Sequence, residues 1–185
     1  DDVITAYSSE VDYIMLSEEE GTTATYRSVV EAADSSSAEQ LTPKAGETYT
    51  LGDATWQILS CDTDMPDLNE SSIVIKLTYG NTSFLFTGDA TMNTEQGLEM
   101  SGYDLKSDVL KVGHHGSAGS TADSFLDAVA PEIAVISVDS ESDMGEMYHH
   151  PATSTLQRLS QHGIKVYRTD ELGTIRITSD GEKLA

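Results

Sequence analysis

The sequence predicts a mixed α/β fold, in which a sheet with parallel and antiparallel strands is flanked by helices. The first observation is two pairs of short apolar runs, each joined by residues that tolerate the positive φ of a tight hairpin turn. The pairs are residues 48–51 with 54–60, around Gly52-Asp53, and residues 73–79 with 83–87, around Gly80-Asn81. The second observation is that helical and strand-like patterns alternate after Asp89. Hairpins followed by αβ units favour a mixed sheet over an all-β sandwich.

The elements before the first hairpin are short. Residues 12–16 form an apolar run that predicts a strand, and residues 22–33 have the amphipathic pattern of a helix. The apolar side of that helix would hold Tyr26, Val29, Val30 and Ala33. Residues 34–39 are polar and rich in serine, and residues 61–70 separate the two hairpins. Both segments are predicted to be loops.

The elements after Asp89 alternate along the chain. In order, we expect a helix over 91–101, a strand over 108–112, a helix over 121–129, a strand over 133–138, a helix over 151–162 and strands over 165–168 and 174–178. Pro151 and Gly163 are the usual start and stop signals of a helix. Asp180-Gly181 predicts a last turn. No internal repeat and no long linker divides the chain, so we expect a single domain over residues 1–185.

The composition is strongly acidic. Against 10 Lys and Arg residues stand 32 Asp and Glu residues, which gives a formal net charge of −22. A surface of this charge repels phosphate backbones and anionic lipid unless a metal or a basic patch intervenes. Nucleic acid is therefore disfavoured as a partner. The hydrophobic content of 38%, distributed in regular short runs, predicts a globular chain.

The sequence offers few features that would fix the compartment. Cys61 is the one cysteine, so neither a disulfide within the chain nor a cysteine-based zinc knuckle can form. No apolar run approaches the roughly 20 residues of a membrane helix. The chain opens on Asp1-Asp2 without a methionine, which we interpret as a trimmed start, so the lack of a targeting signal says little about the parent protein.

Potential metal ligands follow three predicted strands. Asp89 comes directly after a buried-looking run, and two histidine pairs, His114-His115 and His149-His150, each follow a strand and its loop. Open α/β sheets usually assemble their sites at strand ends. Imidazole and carboxylate are ligands that Zn²⁺ prefers. Taken singly, each of these residues is more often part of a loop or turn than a ligand, so the prediction rests on the combination.

Local sequence strengthens the metal hypothesis. The segments FLFTGD (84–89), DVLKVGHHGS (108–117) and YHHP (148–151) resemble the ComEC-like branch of the metallo-β-lactamase superfamily. Flanking segments are similar to the same branch: SSIVIKLTYGNTSFLF, FLDAVAPEIAVISV and VYRTDELGTIRITSDG. The resemblance is clear over residues 46–185 and looser over residues 1–45.

The resemblance implies a metallo-β-lactamase-type αββα sandwich, with mixed β-sheets flanked by helices and meeting at a metal site. It implies that Asp89, one of His114 and His115, and His150 bind the metal, with Asp89, His114 and His115 as the catalytic candidates. Zn²⁺ is the expected metal, as one or two ions, and Mn²⁺ is an alternative. Family members use the metal to activate water, which attacks an ester or phosphodiester. Residues that would orient the ligands or contact substrate are Asn69, Ser72, Lys111, Ser117 and His149.

Several of these roles have structural alternatives. A packing role for Lys111 is as well supported as a functional one, and Asn69 and Ser72 can simply cap a loop. The segment MGEMYHHP also departs from the family pattern, because Glu146 and His149 stand where relatives usually have asparagine and glycine. The lining of the pocket near His150 is therefore open.

A second departure concerns the main ligand motif of the family, HxHxDH. The motif is absent, since no histidine precedes His114. The resemblance implies that the chain begins just downstream of the place where relatives carry the motif. We therefore expect a domain truncated at its N-terminus, with apolar sheet faces left uncovered and about three metal ligands at most. Such a stretch should bind metal weakly or not at all and have little activity by itself.

We consider three functions for this sequence. The leading hypothesis is that the parent protein is a metal-dependent hydrolase acting on a small phosphoester, another ester or, less favoured, nucleic acid. The alternative is a degenerate, non-catalytic module that uses the same fold to bind a partner. A structural acidic domain with incidental histidines is a weaker third option. Members of this branch occur both membrane-anchored and secreted, so we expect an extracytoplasmic location, while the oligomeric state stays open.

Overall fold

The computed structural model describes residues 2–7, 9–17, 21–63, 65, 67–139 and 149–185. In this part of the chain the strands form a seven-stranded sheet and a two-stranded sheet. The strands are β1 Tyr13–Met15, β2 Glu39–Leu41, β3 Thr48–Leu51, β4 Ala54–Ser60, β5 Val74–Tyr79, β6 Thr82–Phe86, β7 Val109–Lys111, β8 Ile133–Ile136 and β9 Lys165–Arg168. The helices are α1 Asp2–Ala6, α2 Ala24–Ser35, α3 Met92–Ser101, α4 Asp123–Val129, α5 Thr153–Gln161 and α6 Thr169–Leu172.

The larger sheet has the spatial order β3-β4-β5-β6-β7-β8-β9, which is also the chain order. Its first four strands pair antiparallel and its last four pair parallel, with β6 shared between the two halves. The turns at Gly52 and Gly80 have φ angles of 59° and 58°, as tight hairpins require. Parallel neighbours need a crossover, and α3, α4 and α5 provide it in turn. The predicted mixed sheet flanked by helices is confirmed.

The main core lies between the large sheet and the crossover helices. From the central strands, Leu85, Leu110 and Ile136 each have 0% of their surface exposed. They pack in one cluster with apolar residues of the helices, among them Leu98, Phe125, Leu126, Val129 and Leu159. Burial of each large aliphatic or aromatic side chain contributes about 1.5–3 kcal/mol, so this face holds the helices firmly against the strands.

The opposite face of the sheet is covered less completely. Side chains alternate along a strand, so Phe84 and Phe86 point away from the helices on which Leu85 packs. Phe86 is 42% exposed. A cavity of about 230 Å³ lies over this face, and its lining includes Phe84, Phe86, Val135, Ile175 and Ile177. The strand that leads to Asp89, β6, therefore has apolar side chains that are partly open to solvent on this face.

The structure corrects one predicted strand and adds elements that the pattern did not indicate. The strand predicted over 174–178 is wrong: the backbone of Thr178 instead exchanges two hydrogen bonds with Ala185 at the C-terminus. The small sheet was missed because β2 has only three residues, too few for a periodicity, and pairs with the equally short β1. Helices α1 and α6 are also too short to be indicated by pattern. The longest described helix has 12 residues, and none in the described ranges is long and apolar enough to cross a membrane.

Candidate metal centre

Four of the predicted ligands meet at one edge of the large sheet. Strands β6, β7 and β8 are neighbours and run parallel, so their C-terminal ends share that edge. Asp89 follows β6, and His114 and His115 follow β7. The Nε2 atom of His115 lies 3.5 Å from Oδ1 of Asp89. The ring centroid of His114 lies 5.6 Å from that of His150 and 6.3 Å from that of His115.

An unusual backbone turn presents the two neighbouring histidines. His114 and His115 have φ angles of 47° and 54°, the left-handed region that residues other than glycine rarely adopt. Each such residue costs on the order of 1–3 kcal/mol, so surrounding contacts must hold the turn. One of them is the hydrogen bond that the His114 N–H donates to the carbonyl of Gly88, 3.2 Å away. The turn is thereby tied to the segment that carries Asp89, and the two imidazole planes differ by 71°.

The orientation of the His115 ring is fixed from behind. Its Nδ1 lies 2.6 Å from the carbonyl oxygen of Ser137, just after β8. A carbonyl can only accept, so Nδ1 carries the hydrogen, and in the neutral ring Nε2 has a lone pair directed at Asp89. A lone pair and a carboxylate oxygen 3.5 Å apart repel each other unless a cation or a proton lies between them. Backbone carbonyls hold metal-binding histidines in the same way.

His150 is prepared for the neutral form. Its partial burial lowers its pKa, and the neighbouring His114 and His115 lower the pKa further, while Asp89 opposes the shift. Neutral imidazole is the form that binds a metal. The charges of His114, His115 and Asp89 all act on the pKa of His150, and the His114 ring is the neighbour seen at short distance.

Asp89 is positioned by a residue that the sequence had singled out. The hydroxyl of Ser72 accepts a hydrogen bond of 3.0 Å from the backbone N–H of Asp89. Gly88, with a φ of 56°, permits this approach, since a Cβ at Gly88 would lie 2.9 Å from that of Ser72. Ser72 therefore acts on the backbone of Asp89 rather than on a ligand side chain.

The segment before Ser72 is held mainly by its own turn. Asn69 lies in a 3₁₀ turn, Leu68–Ser71, and both its backbone N–H and its side-chain amide donate to Oδ1 of Asp67. Its side chain is thus engaged in capping. Glu70, which the sequence did not indicate, is buried and accepts a bond of 2.6 Å from the side-chain amide of Asn93. Glu70 ties the turn to the first residues of α3.

The side chain of Lys111, at the end of β7, lies on the sheet face that carries Phe84 and Phe86. Its Nζ donates to the carbonyl of Val112 at 2.8 Å, and its stem lines the cavity with Phe84 and Phe86. Burial lowers the pKa of the Lys111 ammonium group, and the Asp89 carboxylate opposes that effect. Packing and a weak electrostatic contact with the site are thus both present.

The remaining candidates lie at the margin. Ser117 uses its hydroxyl within its own loop, where it accepts from the N–H of Gly119 at 3.2 Å. His149 is exposed and has a φ of 52°. The comparison involving Glu146 falls outside the described residues, because residues 140–148 are not among them.

The donors fit part of a metal centre. Nitrogen and carboxylate oxygen are suitable ligands for Zn²⁺ and for related divalent ions, and the facing lone pair and carboxylate of His115 and Asp89 suit a shared cation. In the described ranges, however, no group of three or more His, Cys, Asp or Glu side chains already encloses a metal position. The candidates form two facing pairs, His115 with Asp89 and His114 with His150.

Comparisons with known proteins agree with this architecture. A family model described as the metallo-beta-lactamase superfamily matches residues 2–140. The chain is 39% identical over 134 residues to ComE operon protein 3 of Bacillus subtilis, covering 72% of the chain and 17% of that protein. It is 40% identical over 111 residues to competence protein ComA of Neisseria gonorrhoeae, covering 60% of the chain and 16% of that protein. The chain thus spans about a sixth of the length of these relatives.

Solved structures show the same fold at low sequence identity. The diiron β-hydroxylase CmlA from Streptomyces venezuelae superposes with a TM-score of 0.53 and 16% identity, over 88% of this chain and 39% of that one. The metallo-β-lactamase fold protein YhfI from Bacillus subtilis gives a TM-score of 0.50 and 12% identity, over 89% of this chain and 64% of that one. Family model and fold agree, and this chain belongs to the metallo-β-lactamase superfamily, where its sequence is similar to that of the ComEC-like competence proteins.

Proposed function

We propose that Asp89, His114, His115 and His150 form part of the metal centre of a metal-dependent hydrolase that cleaves an ester or phosphodiester. One observation carries the proposal. The Nε2 atom of His115 faces Asp89 at 3.5 Å while the Ser137 carbonyl takes up the other ring nitrogen. This arrangement leaves a nitrogen lone pair and a carboxylate without a mutual hydrogen bond in the neutral state, and a divalent cation satisfies both.

Each residue has a distinct task in this proposal. Asp89 and His115 hold the cation, and the Ser137 carbonyl keeps the His115 ring in the correct tautomer. Ser72 fixes the backbone of Asp89. His150 stays neutral and so can offer a lone pair beside His114. When bound, Zn²⁺ or Mn²⁺ supplies Lewis-acid activation of water and stabilises charge that develops on the substrate.

Ligand number limits what this stretch does by itself. A dinuclear centre takes roughly six or seven protein ligands, and a catalytic mononuclear zinc about three with one position open. The four candidates stand as two pairs, and three enclosing ligands are not assembled within the described ranges. We therefore expect weak metal binding and little catalysis from these 185 residues. Further ligands would have to come from chain outside these residues, as the greater length of the competence relatives would allow.

The charge bears on the substrate. A net charge of −22 opposes the approach of a polyanion, which favours a small phosphoester or a neutral ester. Relatives named for competence, and another named recombination protein 2 from Haemophilus influenzae with 35% identity over 116 residues, keep nucleic acid as the alternative. A bound metal can invert the local field, which would allow a polyanion to approach. Cleavage of nucleic acid should depend strongly on salt concentration and cleavage of a small ester weakly, so a cleavage assay at several salt concentrations would separate the two substrate classes.

A non-catalytic module is the second candidate function. The observation that favours it is the lack of three enclosing ligands in the described ranges. Such a module would keep the fold and bind a partner without metal. It predicts that substitution of the four candidates leaves the metal content of the longer protein unchanged.

Paramagnetic Mn²⁺ tests the proposal even where affinity is low. In the ¹⁵N-histidine spectrum of this chain, Mn²⁺ should broaden the imidazole signals of His114, His115 and His150. His162 is the reference for ordinary surface binding of Mn²⁺, because its Nε2 and Nδ1 lie 3.1 Å and 3.5 Å from Oδ1 of Asp123 and Asp127 in α4. Broadening at the candidate site must therefore exceed that of His162. Asp89→Asn should abolish the selective broadening, whereas Asp123→Asn should not. Equal broadening of all histidines, or none, would contradict the proposal, and tight stoichiometric Zn²⁺ binding by calorimetry would contradict the expected weakness.

A further inference from the structure

The loop that follows the two histidines, residues 117–122, is held by two charged side chains from outside it. Both carboxylate oxygens of Glu95, on α3, accept backbone hydrogen bonds, from the N–H of Thr121 at 2.5 Å and of Ala122 at 2.8 Å. From the other side, Arg158 on α5 donates to the carbonyl oxygens of Thr121 and Ser120, each at 2.8 Å. An acid and a base thus hold the N–H and C=O groups of the same residue, Thr121.

Burial and backbone geometry show why the loop needs this support. Thr121 has a φ of 63°, which is an outlier for a β-branched residue, and both Thr121 and Glu95 are only 1% exposed. Helix α4 begins after Ala122, whose methyl side chain offers no hydrogen-bond acceptor to cap the helix. Glu95, on a different helix, instead accepts from the N–H groups of Thr121 and Ala122, the two residues that precede α4. A buried carboxylate is costly, and the backbone donors and the charge of Arg158 offset part of that cost, while burial still raises the pKa of Glu95.

The two helices that supply these side chains begin directly behind candidate ligands. Helix α3 starts shortly after Asp89, and Glu95 lies in its first turn. Helix α5 starts shortly after His150 and carries Arg158 near its end. Its start is joined to the histidine turn as well, because the N–H of Ala152 donates to the carbonyl of Gly116 at 2.8 Å.

A third contact extends the same connection. Thr155 of α5 is fully buried, and its hydroxyl donates to the carbonyl of Ser117 at 2.8 Å while accepting from Arg158 at 3.0 Å. The segments that carry Asp89 and His150 are thus each linked, through one helix, to the loop that directly follows His114 and His115. None of these linking side chains is itself one of the four candidate ligands.

We infer that Glu95 and Arg158 are positioning residues that fix the His114-His115 turn relative to Asp89 and His150 by holding the peptide groups around Thr121. The inference rests on the proposed function for its meaning, since the geometry it protects is that of the proposed metal centre. A role in general stability alone would predict that any equally destabilising change in α3 or α5 disturbs the histidines as much.

The test compares imidazole geometry in metal-free variants of this chain. Glu95→Gln leaves one carbonyl acceptor for two N–H groups, and Arg158→Gln cannot bridge both carbonyls. In each, we expect loss of the contact between the His114 and His150 rings, read by nuclear Overhauser effects, and a changed ¹⁵N shift at Nδ1 of His115. Arg158→Lys, which can reach one carbonyl, should restore part of the signal and is also the variant to measure if Arg158→Gln does not fold.

Matched controls separate positioning from stability. Leu159→Ala removes a fully buried side chain beside Arg158. Glu99→Gln removes a charge one turn after Glu95, where the carboxylate accepts a hydrogen bond of 3.0 Å from the Ser124 hydroxyl. Both should keep the wild-type imidazole signals below their unfolding temperatures. Wild-type signals in folded Glu95→Gln and Arg158→Lys, or equal disturbance in Leu159→Ala, would overturn the inference.

Mn²⁺ titration distinguishes this inference from the proposed function. If both are correct, Glu95→Gln raises the Mn²⁺ concentration needed for selective broadening of His115 by about 10- to 100-fold, because loss of support for a ligand usually weakens metal binding by that factor. If wild type shows no selective broadening while the variants still disturb the imidazoles, the proposed function fails and the positioning role stands. If wild type and Glu95→Gln bind Mn²⁺ equally with unchanged imidazole signals, the positioning role fails and the metal centre stands.

Discussion

Replacement of Gly116 by alanine should destabilise the chain through a contact between the histidine turn and the segment of His150. Gly116 has a φ of 80°, and a Cβ there would lie 2.7 Å from Cβ of Pro151 and 3.5 Å from Cγ2 of Ile136. The backbone cannot easily withdraw, because the Gly116 carbonyl accepts from the N–H of Ala152 at 2.8 Å. Left-handed backbone costs an alanine about 1–2 kcal/mol, and overpacking costs about 1–3 kcal/mol more. The expected loss is about 2–5 kcal/mol.

Gly102 offers a control with the same backbone conformation. Its φ is also 80°, at the end of α3, but a Cβ there would meet nothing within 4 Å. Gly102→Ala should therefore lose only the conformational part, about 1–2 kcal/mol. The difference between the two variants, about 1–3 kcal/mol, measures the contact of residue 116 with Pro151.

Urea unfolding followed by circular dichroism gives both free energies of unfolding. In Gly116→Ala the displaced Pro151 should also move His150 from His114, so the Overhauser contact between their rings should weaken. Equal losses of stability in Gly116→Ala and Gly102→Ala would refute the reasoning, because the segment of Pro151 would then yield without cost.

Three further predictions concern the backbone of Asp89, a buried acid and the net charge. Ser72→Ala removes the acceptor for the Asp89 N–H and should lower the free energy of unfolding by about 1 kcal/mol in urea; no change would mean that water replaces the hydroxyl fully. Burial raises the pKa of Glu95 above its unfolded value, and the hydrogen bonds from Ala122 and Thr121 oppose this shift. A raised pKa means that the folded state binds the proton more tightly than the unfolded state. The resulting stabilisation is complete below the ordinary carboxyl range and is lost as pH rises through the raised pKa. Glu95→Gln should remove that pH dependence in urea titrations between about pH 4 and 7, and an unchanged slope would contradict the assignment. The charge of −22 should make the urea midpoint rise between about 0.01 and 0.5 M NaCl, and a falling midpoint would show that attractive pairs dominate.

Local sequence was sufficient for the elements whose boundaries depend on their own residues. The strands of the first hairpin, Thr48–Leu51 and Ala54–Ser60, have the predicted bounds because Gly52-Asp53 defines the turn and β-branched and aromatic residues flank it. The strand predicted over 174–178 failed for the opposite reason. Its apolar residues Ile175 and Ile177 line a cavity over the sheet, so packing satisfies the pattern without a ladder.

The candidate site was predictable in part. Strand ends and ligand chemistry indicated Asp89, His114, His115 and His150, and parallel order brings the first three to one edge of the sheet. The Ser137 carbonyl that orients His115 could not be indicated, because a backbone group leaves no trace in residue identity. The roles of Glu95 and Arg158 were equally hidden. A glutamate in the first turn of a helix is usually solvated, and its partner Thr121 lies 26 residues away.

The shortage of ligands and the shortage of apolar cover fall on the same part of the molecule. Phe86, 42% exposed, is three residues before Asp89 on the face opposite the main core, and Lys111 lines the cavity over that face. On the helix side, by contrast, Asp89 is fastened by Ser72 and the histidine turn by buried side chains of α3 and α5. The helix side therefore supports the site through several hydrogen bonds, while on the other face, in the part of the chain that the structure describes, the apolar surface is partly open and no three ligands enclose a metal position. One additional layer of structure on that face would supply both at once, so we expect metal affinity and protection of Phe86 from solvent to rise together in any longer version of the chain that adds such a layer.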